Sequence, residues 1–433
     1  MRISKTIKID NVPAFKSALL RWAGQFSEVV WLDSNDYHLQ HSQFDAVLAV
    51  DAFTAIETEA SEAFERLQEY QISTADWIFG YLAYDLKNDV EKLSSKNFDG
   101  LNFPDLYFFQ PKKLFLIKGD EVEIKYLRLV DDEVEEDFEE IRGLISSEGS
   151  SEGNPGNSLK LHPRISEKEY LRKVQEMLDH IQRGDIYEAN FCQEFYSEEA
   201  EIDPLETYKK LNAISNPPFA TYIRLYDKYL LSASPERYLQ KTGGTVISQP
   251  IKGTARRSSN ENEDRKLAMQ LEQDPKERSE NVMIVDLVRN DLSKTAEKGS
   301  VEVEELCKVY TFQQVHQMIS TVKAQVNESI PSVEILKSTF PMGSMTGAPK
   351  VSAMKIIEEL EETKRGVYSG AVGYFTPTGD FDFNVVIRSI LYNATHKYVS
   401  FSVGGAITSK SIPENEYKEC LIKAKAMLEV LGS

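Results

Sequence analysis

The pattern of apolar and polar positions predicts long amphipathic helices in the second half of the chain. One helix begins after Ser166, which forms a capping box with Glu169, and it ends at Gly184. Another begins at Pro275, with Asp274 as its N-cap. In both segments apolar residues recur every three or four positions, so each helix should bury one face against a core.

The last segment, PENEYKECLIKAKAMLEVL, is predicted to be a third amphipathic helix. Glu416, Glu419 and Lys423 lie three and four residues apart in it, so they share one face. The buried stripe is expected on a different face, at Tyr417, Leu421, Ala424, Leu428 and Leu431.

Alternating patterns predict an antiparallel meander before that helix. Its three strands are expected at Gly370–Phe375, Phe381–Tyr392 and Tyr398–Val403. In the middle strand Arg388 should lie on the face opposite the apolar side chains. Helices mixed with antiparallel strands indicate an α+β fold rather than a barrel of βα units.

The clearest break in composition is LISSEGSSEGNPGNSLK, which contains Ser, Gly, Asn and Glu and few residues that can pack. We interpret this segment, at about 144–160, as a linker between an N-terminal region, residues 1–150, and a second region, residues 160–433. A chain of 433 residues is long enough for two ordinary cores.

Composition argues against several classes of partner. The chain has 50 basic and 69 acidic residues and a net charge of -19, which disfavours binding to nucleic acid. No segment reaches the roughly 18 apolar residues of a membrane span, and the first residues lack the apolar core of a signal peptide. We therefore expect a cytoplasmic protein with neither nucleic-acid nor membrane partners.

Cysteine and histidine spacing argues against a zinc site. Cys192, Cys307 and Cys420 are far apart and form no CxxC pair, so neither a disulfide framework nor a thiolate site is expected. A metal, if one binds, should be a hard ion held by carboxylates. Glu416 and Glu419 are candidates for magnesium, although a solvated helix face explains the same spacing.

Three further side chains stand out in apolar surroundings. Glu280 interrupts an apolar segment, where it is either a metal ligand or the polar side of a helix. Arg388 needs either an anion or a structural ion pair. His316 lies between apolar residues, which is typical of a hydrogen-bonded core histidine.

The stretch PIKGTARR places Lys252 between Pro-Ile and Gly-Thr. Proline fixes its own φ and glycine permits conformations closed to other residues, so together they can hold the lysine side chain in one direction. The glycine-rich GSMTGAPK does not match a phosphate-binding loop, because Ala348 and Pro349 separate Gly347 from Lys350. The residues alone predict an anion site but no reaction.

Seven motifs in order resemble the chorismate-utilising enzymes, which include anthranilate synthase component I, aminodeoxychorismate synthase component I and the isochorismate and salicylate synthases. The motifs are SASPERY, QPIKGTARR, SENVMIVDLVRNDL, FPMGSMTGAPKVSAM, NVVIRSI, SVGGAI and ENEYKECLIKA. The resemblance implies that residues 160–433 are a chorismate-binding catalytic domain. It also implies the fold of anthranilate synthase component I, with antiparallel sheets stacked as a sandwich and helices on the outside.

The resemblance assigns roles to residues at matching positions. Glu280, Glu416 and Glu419 would hold magnesium, which would bind the ring carboxylate of chorismate. The other substrate contacts would come from Arg388, Lys423, Tyr368, His316, Thr346 and the backbone of Gly404, Gly405 and Ala406.

Lys252 indicates the branch of the family. The aminodeoxychorismate enzymes carry a lysine here, whereas anthranilate synthases typically carry alanine. The resemblance implies that chorismate and ammonia give 4-amino-4-deoxychorismate, for 4-aminobenzoate and folate biosynthesis. Lys252 would attack ring C2, and Glu236 would protonate the departing 4-hydroxyl. Burial or nearby cations such as Arg256 would then have to lower the pKa of Lys252; a simple contact with a substrate carboxylate is the other explanation.

The resemblance also implies a partner. The three isolated cysteines show no amidotransferase motif, so ammonia should come from a separate glutamine amidotransferase subunit. Two alternatives stay open: an anthranilate synthase component I should lack Lys252, and an isochorismate synthase should carry a water-activating lysine where this chain has Glu188.

Overall fold

The computed structural model describes residues 2–35, 37, 41–146 and 159–432. The strands in this part of the chain are β1 (Arg2–Lys8), β2 (Glu28–Asp33), β3 (Ala46–Thr58), β4 (Ile78–Leu82), β5 (Leu106–Lys118), β6 (Glu121–Leu127), β7 (His162–Pro163), β8 (Glu188–Ser197), β9 (Phe219–Leu225), β10 (Lys228–Ser234), β11 (Arg237–Thr242), β12 (Thr245–Gln249), β13 (Ile251–Arg256), β14 (Glu302–Thr311), β15 (Val315–Gln325), β16 (Gly347–Ala348), β17 (Ala371–Phe375), β18 (Phe381–Val385), β19 (Ser389–Asn393) and β20 (Tyr398–Thr408). The helices are α1 (Val12–Trp22), α2 (Ala63–Thr74), α3 (Lys87–Val90), α4 (Val134–Ser146), α5 (Glu167–Arg183), α6 (Pro204–Ser215), α7 (Glu261–Gln273), α8 (Pro275–Ser293), α9 (Ser332–Thr339), α10 (Lys350–Leu360) and α11 (Pro413–Leu431).

Two series of antiparallel strands diverge from the long strands β3 and β5. The first series runs β5, β3, β2, β9, β10, β19, β20 and β8. The second runs β5, β4, β17, β18, β11, β12 and β15, and both β13 and β14 also pair with β15. One apolar core contains residues of both series, such as Val30 and Leu230 with Val246 and Phe383, so the two layers pack face to face.

Most helices lie outside these layers. A second apolar core joins the first series of strands to α1, α5, α6, α10 and α11. The α+β prediction is therefore confirmed. Strands from the first 150 residues pair with later ones, β2 with β9 and β4 with β17. The predicted linker lies mainly outside the described residues, so the division into two domains stays a prediction.

The predicted helix starts are confirmed by their caps. The Ser166 side chain accepts a hydrogen bond of 3.2 Å from the Glu169 backbone N–H, and α5 ends at Gly184, whose φ is 85°. The Asp274 carboxylate accepts from the backbone N–H groups of Lys276 and Glu277 at the start of α8. None of the helices in the described ranges is long and apolar enough to cross a membrane.

The prediction of one strand at 381–392 is wrong. The chain forms β18 in the second series, leaves it after Val385 and enters β19 in the first series at Ser389. Arg388 lies at this crossing with a φ of 51°, in the left-handed region that non-glycine residues rarely adopt. The two-residue alternation therefore stops at the crossing, and Ile387 and Arg388 both face the same cavity.

The predicted buried stripe of α11 is confirmed at Ala424 and Leu431 and wrong at Leu421, whereas Tyr417 and Leu428 are only partly buried against the core. The buried residues of α11 are Glu416, Cys420, Ala424, Met427 and Leu431, whereas Leu421 is exposed. The helix has turned a carboxylate inward because this face packs beside β20 at the edge of the cavity.

Candidate active site

A cavity of about 610 Å³ lies where the chain crosses from β18 to β19. Its walls come from β8 and β20 of the first series, from β13 and β15 of the second, and from α8 and α11. A cavity of this size accommodates a small organic molecule. The charged side chains that line it are Lys252, Arg256, Lys276, Arg388, Lys423, Glu236, Glu277, Glu280 and Glu419.

A bulge in β13 directs Lys252 into the cavity. The pairing register of β13 with β15 shifts between Ile251 and Thr254, and Gly253 within this irregularity has a φ of 94°. Behind the wall, Lys252 Nζ lies 3.2 Å from Glu188 Oε1. The glycine after the lysine is thus required by the backbone turn that sets the direction of the side chain.

The charges around Lys252 favour its ammonium form. Burial alone would lower the pKa of Lys252, but the carboxylates of Glu188, Glu280 and Glu236 raise it above its usual value. Arg256 does not offset them, because its side chain is 75% exposed and pairs with Glu263, with Nη2 and Oε1 3.0 Å apart. The expectation that burial or Arg256 lowers the pKa of Lys252 is therefore not met.

Glu236 is a buried carboxyl group in the same wall. It precedes β11, and its carbonyl oxygen accepts a hydrogen bond of 3.0 Å from the Val385 backbone N–H. Burial raises the pKa of Glu236 to about 7, against the opposing effects of the Ser344 hydroxyl and the Lys252 ammonium. Near neutral pH the group is therefore about half protonated, as suits a general acid.

Arg388 provides a positive charge that the protein itself does not neutralise. Among the described residues no ion pair to its guanidinium group is found, although the carboxylates of Glu236, Glu277, Glu280 and Glu419 line the same cavity. Burial lowers the pKa of Arg388 below its usual value. A half-buried guanidinium without a partner among the described residues is costly, so this position favours an anionic ligand.

The glycines of β20 bring the backbone of this strand close to its neighbour. Gly404 pairs with Cys192 of β8, and a Cβ atom placed on Gly404 would lie only 2.4 Å from Cys192 Sγ. The Lys423 ammonium donates to the Gly404 carbonyl oxygen at 2.9 Å. Tyr368 is buried with its hydroxyl 3.6 Å from Cys192 Sγ, and together with Gly405 and Ala406 it lines the cavity.

At the part of the cavity beside Gly405, which we call the acidic end, Glu280 and Glu419 line the wall, whereas Glu416 does not. A Cβ atom placed on Gly405 would lie 3.6 Å from Glu416 Oε2 and 3.7 Å from Glu419 Oε1, so these two carboxylates converge there. Burial raises the pKa of Glu416, and it raises the pKa of Glu280 to about 7. Burial alone would raise the pKa of Glu419 too, but Lys423 lowers it below its usual value.

The acidic end fits a divalent cation by its charge. Glu280 Oε1 is buried without a hydrogen-bond partner, since Lys276 Nζ lies 3.8 Å away. Oxygen ligands of this kind suit magnesium, which also keeps waters and substrate oxygens in its shell. Within the described ranges, however, no three acidic, histidine or cysteine side chains come together as a group that could hold a metal ion, so Glu280, Glu416 and Glu419 do not form a ready-made site in this structure.

Two predicted substrate contacts do not line the cavity. In β15 the neighbours Val315 and Gln317 face it, so strand alternation turns His316 to the other side. There His316 Nε2 lies 3.0 Å from Asp264 Oδ1. Thr346 directs its hydroxyl back to the carbonyl oxygens of Met342 and Gly343, at 3.3 and 3.2 Å.

Sequence reasoning missed three charged residues of this region. Glu188 was considered only as the replacement of a lysine, and nothing in the sequence connects it with Lys252, 64 residues away. Lys276 and Glu277 also line the cavity. Their positions in the first turn of α8, with Lys276 four residues before Glu280, were the available signal.

Comparisons with known proteins show what this chain is similar to. A model of the chorismate binding enzyme family matches residues 25–429. The probable chloroplastic aminodeoxychorismate synthase of Oryza sativa is 36% identical over 81% of this chain, which spans only 43% of that longer protein. Aminodeoxychorismate synthase component 1 of Bacillus subtilis is 32% identical over 88% of this chain and 80% of its own length.

The comparisons also include anthranilate synthases. Anthranilate synthase component 1 of Thermus thermophilus is 34% identical over 82% of this chain and 77% of its own length. The crystal structure of anthranilate synthase component I from Streptococcus pneumoniae superimposes with a TM-score of 0.77 at 26% identity, covering 90% of this chain and 93% of that one. The expected fold is therefore confirmed, whereas overall identity does not separate amination at C4 from anthranilate formation.

Proposed function

This chain belongs to the chorismate-binding enzyme family, and from that premise we propose that it converts chorismate and ammonia to 4-amino-4-deoxychorismate. This product is the precursor of 4-aminobenzoate in folate biosynthesis. The observation that carries the proposal is the position of Lys252. Its side chain lines the same cavity as the unpaired guanidinium of Arg388 and the half-protonated carboxyl of Glu236.

Each end of the cavity would bind one carboxylate of the substrate. Arg388 and Lys423 would attract the enolpyruvyl carboxylate, with Tyr368 and the backbone of β20 beside it. Glu280, Glu416 and Glu419 would hold a magnesium ion, which when bound neutralises charge on the ring carboxylate. His316 and Thr346 would support the neighbouring backbone rather than contact the ring, because their side chains hydrogen-bond elsewhere.

Lys252 and Glu236 would carry out the substitution at C4. The Lys252 amine attacks ring C2 while Glu236 protonates the departing 4-hydroxyl, since hydroxide is a poor leaving group. Ammonia then attacks C4 and releases the lysine. The first step requires Lys252 to lose a proton that its surroundings hold firmly, so the site needs a proton acceptor.

Ammonia would come from a glutamine amidotransferase subunit. All three cysteines of this chain are buried, and burial raises the pKa of Cys192 to about 12 and that of Cys420 to about 11. Burial also raises the pKa of Cys307. A glutaminase nucleophile needs an accessible, readily ionised thiol, which none of these residues offers.

Product analysis tests the proposal. Purified protein is incubated with chorismate, magnesium and an ammonium salt, and the products are separated and identified by mass spectrometry. We expect a product in which NH2 replaces OH and which a 4-aminobenzoate-forming lyase consumes. Fluorescent anthranilate would instead place the chain in the anthranilate synthase branch. Isochorismate alone would show that water, not Lys252, attacks C2.

A further inference from the structure

Glu188 contacts Lys252 from outside the cavity. It is the first residue of β8 and 2% exposed, and its Oε1 atom lies 3.2 Å from Lys252 Nζ. Lys252 lines the cavity, whereas Glu188 is not part of the lining. A ligand in the cavity therefore meets the lysine, which in turn contacts the carboxylate.

The second oxygen of this carboxylate has no assigned contact. Glu188 Oε2 is buried and has no hydrogen-bond partner within the described residues. Leaving a buried charged oxygen unpaired is costly, so its retention calls for an explanation. The proton would pass along the existing hydrogen bond to Oε1, and the unpaired Oε2 leaves the ionised carboxylate without a second donor that would oppose its protonation.

Other buried ion pairs in the chain differ from this one. Arg365 donates to both oxygens of Glu361 and to the carbonyl oxygens of Met345 and Asn190. Lys350 pairs with Asp291 and also donates to two carbonyl oxygens. In both pairs the cation also donates hydrogen bonds to backbone carbonyl oxygens, so the pair connects separate segments of the chain. The Lys252 side chain, by contrast, makes its hydrogen bond to Glu188 and keeps further donor capacity toward the cavity.

We propose that Glu188 is the positioning residue of Lys252. Glu188 holds the lysine side chain toward the cavity, and it accepts the proton whose loss frees the Lys252 amine for attack. The inference rests on the proposed function, and it supplies the proton acceptor that the first step requires.

The step balances with groups already present. A proton passes from the Lys252 ammonium to Glu188, and the freed lone pair forms the bond from Nζ to ring C2. The two ring double bonds each shift by one position and the C4–O bond breaks. Glu236 gives its proton to the leaving oxygen, which departs as water. The secondary amine on the ring keeps one positive charge, and Glu236 is left as a carboxylate, so net charge is conserved.

The experiment measures the first half of the reaction without ammonia. Wild type, Glu188→Gln and Glu188→Asp are mixed with chorismate and magnesium, quenched at intervals and analysed by intact-protein mass spectrometry. The adduct adds the mass of chorismate less one water. We expect Glu188→Gln to slow adduct formation about 100-fold with chorismate affinity within about twofold of wild type. Glu188→Asp should regain at least part of the rate.

The pH dependence separates a proton acceptor from a merely structural partner. Lys252 is faced by Glu188 of β8, Glu236 before β11, Glu277 and Glu280 of α8 and Glu419 of α11. In Glu188→Gln the proton must go to solvent, so below about pH 7 adduct formation should rise steeply with pH. In wild type the proton passes within the pair, so the rate below pH 7 should stay nearly flat, and above pH 7 the loss of the Glu236 proton limits both proteins. Glu277→Gln removes a cavity charge but not the acceptor, so its pH profile should keep the wild-type shape.

The outcomes distinguish the two proposals. A Glu188→Gln variant with wild-type adduct rate and pH profile would overturn the role of Glu188 while leaving 4-amination intact. Wild type that forms neither adduct nor aminated product would overturn the proposed function itself. Isochorismate formation that is lost in Glu188→Gln but kept in Lys252→Ala would overturn both. If Glu188→Gln does not fold, the adduct rate is measured in Glu188→Asp instead. This variant keeps the carboxylate but shortens its side chain, so adduct formation should be slower than in wild type but measurable, and an unchanged rate would overturn the role of Glu188.

Discussion

Lys423 joins the glycine-rich strand to the acidic end of the cavity. Its ammonium group lies 2.8 Å from Glu419 Oε1 and donates at 2.9 Å to the carbonyl oxygen of Gly404. This contact lowers the pKa of Glu419 and keeps it ionised beside Glu416 and Glu280, whose pKa values burial raises. The acidic end thus contains one firmly charged carboxylate and two that a cation would help to ionise.

Magnesium dependence should therefore weaken when this end loses a carboxylate. We expect Glu419→Gln and Glu280→Gln to raise the magnesium concentration for half-maximal activity at least about tenfold, or about 1.4 kcal/mol, because each removes an oxygen charge. Titration calorimetry with magnesium alone gives a second reading. Glu414→Gln, at an exposed position of the same helix, is the matched control. An unchanged magnesium response in Glu419→Gln would remove that residue from the site.

Lys252→Ala should abolish or strongly slow 4-amination while chorismate binding stays measurable. The side chain is the proposed nucleophile, whereas the proposed contacts to substrate charge come mainly from Arg388 and Lys423, which line the same cavity. Product formation with an ammonium salt and equilibrium binding of chorismate are measured in parallel. Lys425→Ala, at an exposed lysine of α11, should behave as wild type. Unchanged turnover in Lys252→Ala would eliminate the covalent route.

Adduct formation should decrease as the pH rises above about 7. Burial raises the pKa of Glu236 to about 7, and a general acid acts only in its protonated form. The active fraction is therefore nearly complete at pH 5.5 and falls about tenfold per unit well above pH 7. The measurement uses the ammonia-free adduct assay, because ammonia titrates in the opposite direction. Glu236→Gln should be nearly inactive at every pH. A wild-type rate that stays flat to pH 9 would exclude Glu236 as the acid.

Local sequence signals predicted the helix starts near this site better than the side chains that come together in it. The caps at Ser166 and Asp274 depend on residues within one helical turn, and the bulge at Gly253 depends on its immediate neighbours. The position of Arg388 depends on the crossing between two layers, which is set by long-range pairing of β18 with β11 and β19 with β10. A single alternating pattern does not contain that information.

The same limit applies to residues that were assigned by resemblance. Strand alternation in β15 decides that Val315 and Gln317 face the cavity and that His316 faces Asp264. The partnership of Glu188 with Lys252 arises because β8 and β13 belong to different layers that meet at the cavity. Residue spacing along the sequence predicts neither the side of β15 that faces the cavity nor the contact of Glu188 with Lys252.

Two adjacent glycines should respond differently to alanine. A Cβ atom on Gly404 would lie 2.4 Å from Cys192 Sγ and 2.5 Å from the Phe191 carbonyl oxygen, so Gly404→Ala should force β20 from β8 and cost about 1–3 kcal/mol. A Cβ atom on Gly405 would meet its nearest atoms, those of Glu416, Glu419 and Lys423, at 3.6–3.7 Å, which is ordinary contact. Gly405→Ala should therefore fold normally.

The direct effect on substrate or metal binding should instead be larger for Gly405→Ala than for Gly404→Ala. The Gly405→Ala methyl group would occupy space next to the converging carboxylates, so we expect normal stability with about tenfold weaker use of magnesium or chorismate, or about 1.4 kcal/mol. Denaturant midpoints and steady-state constants for both variants give the comparison. Gly405→Ala with wild-type constants would show that substrate and metal do not use this side of β20. Gly404→Ala with wild-type stability would show that β20 and β8 have room to separate without cost.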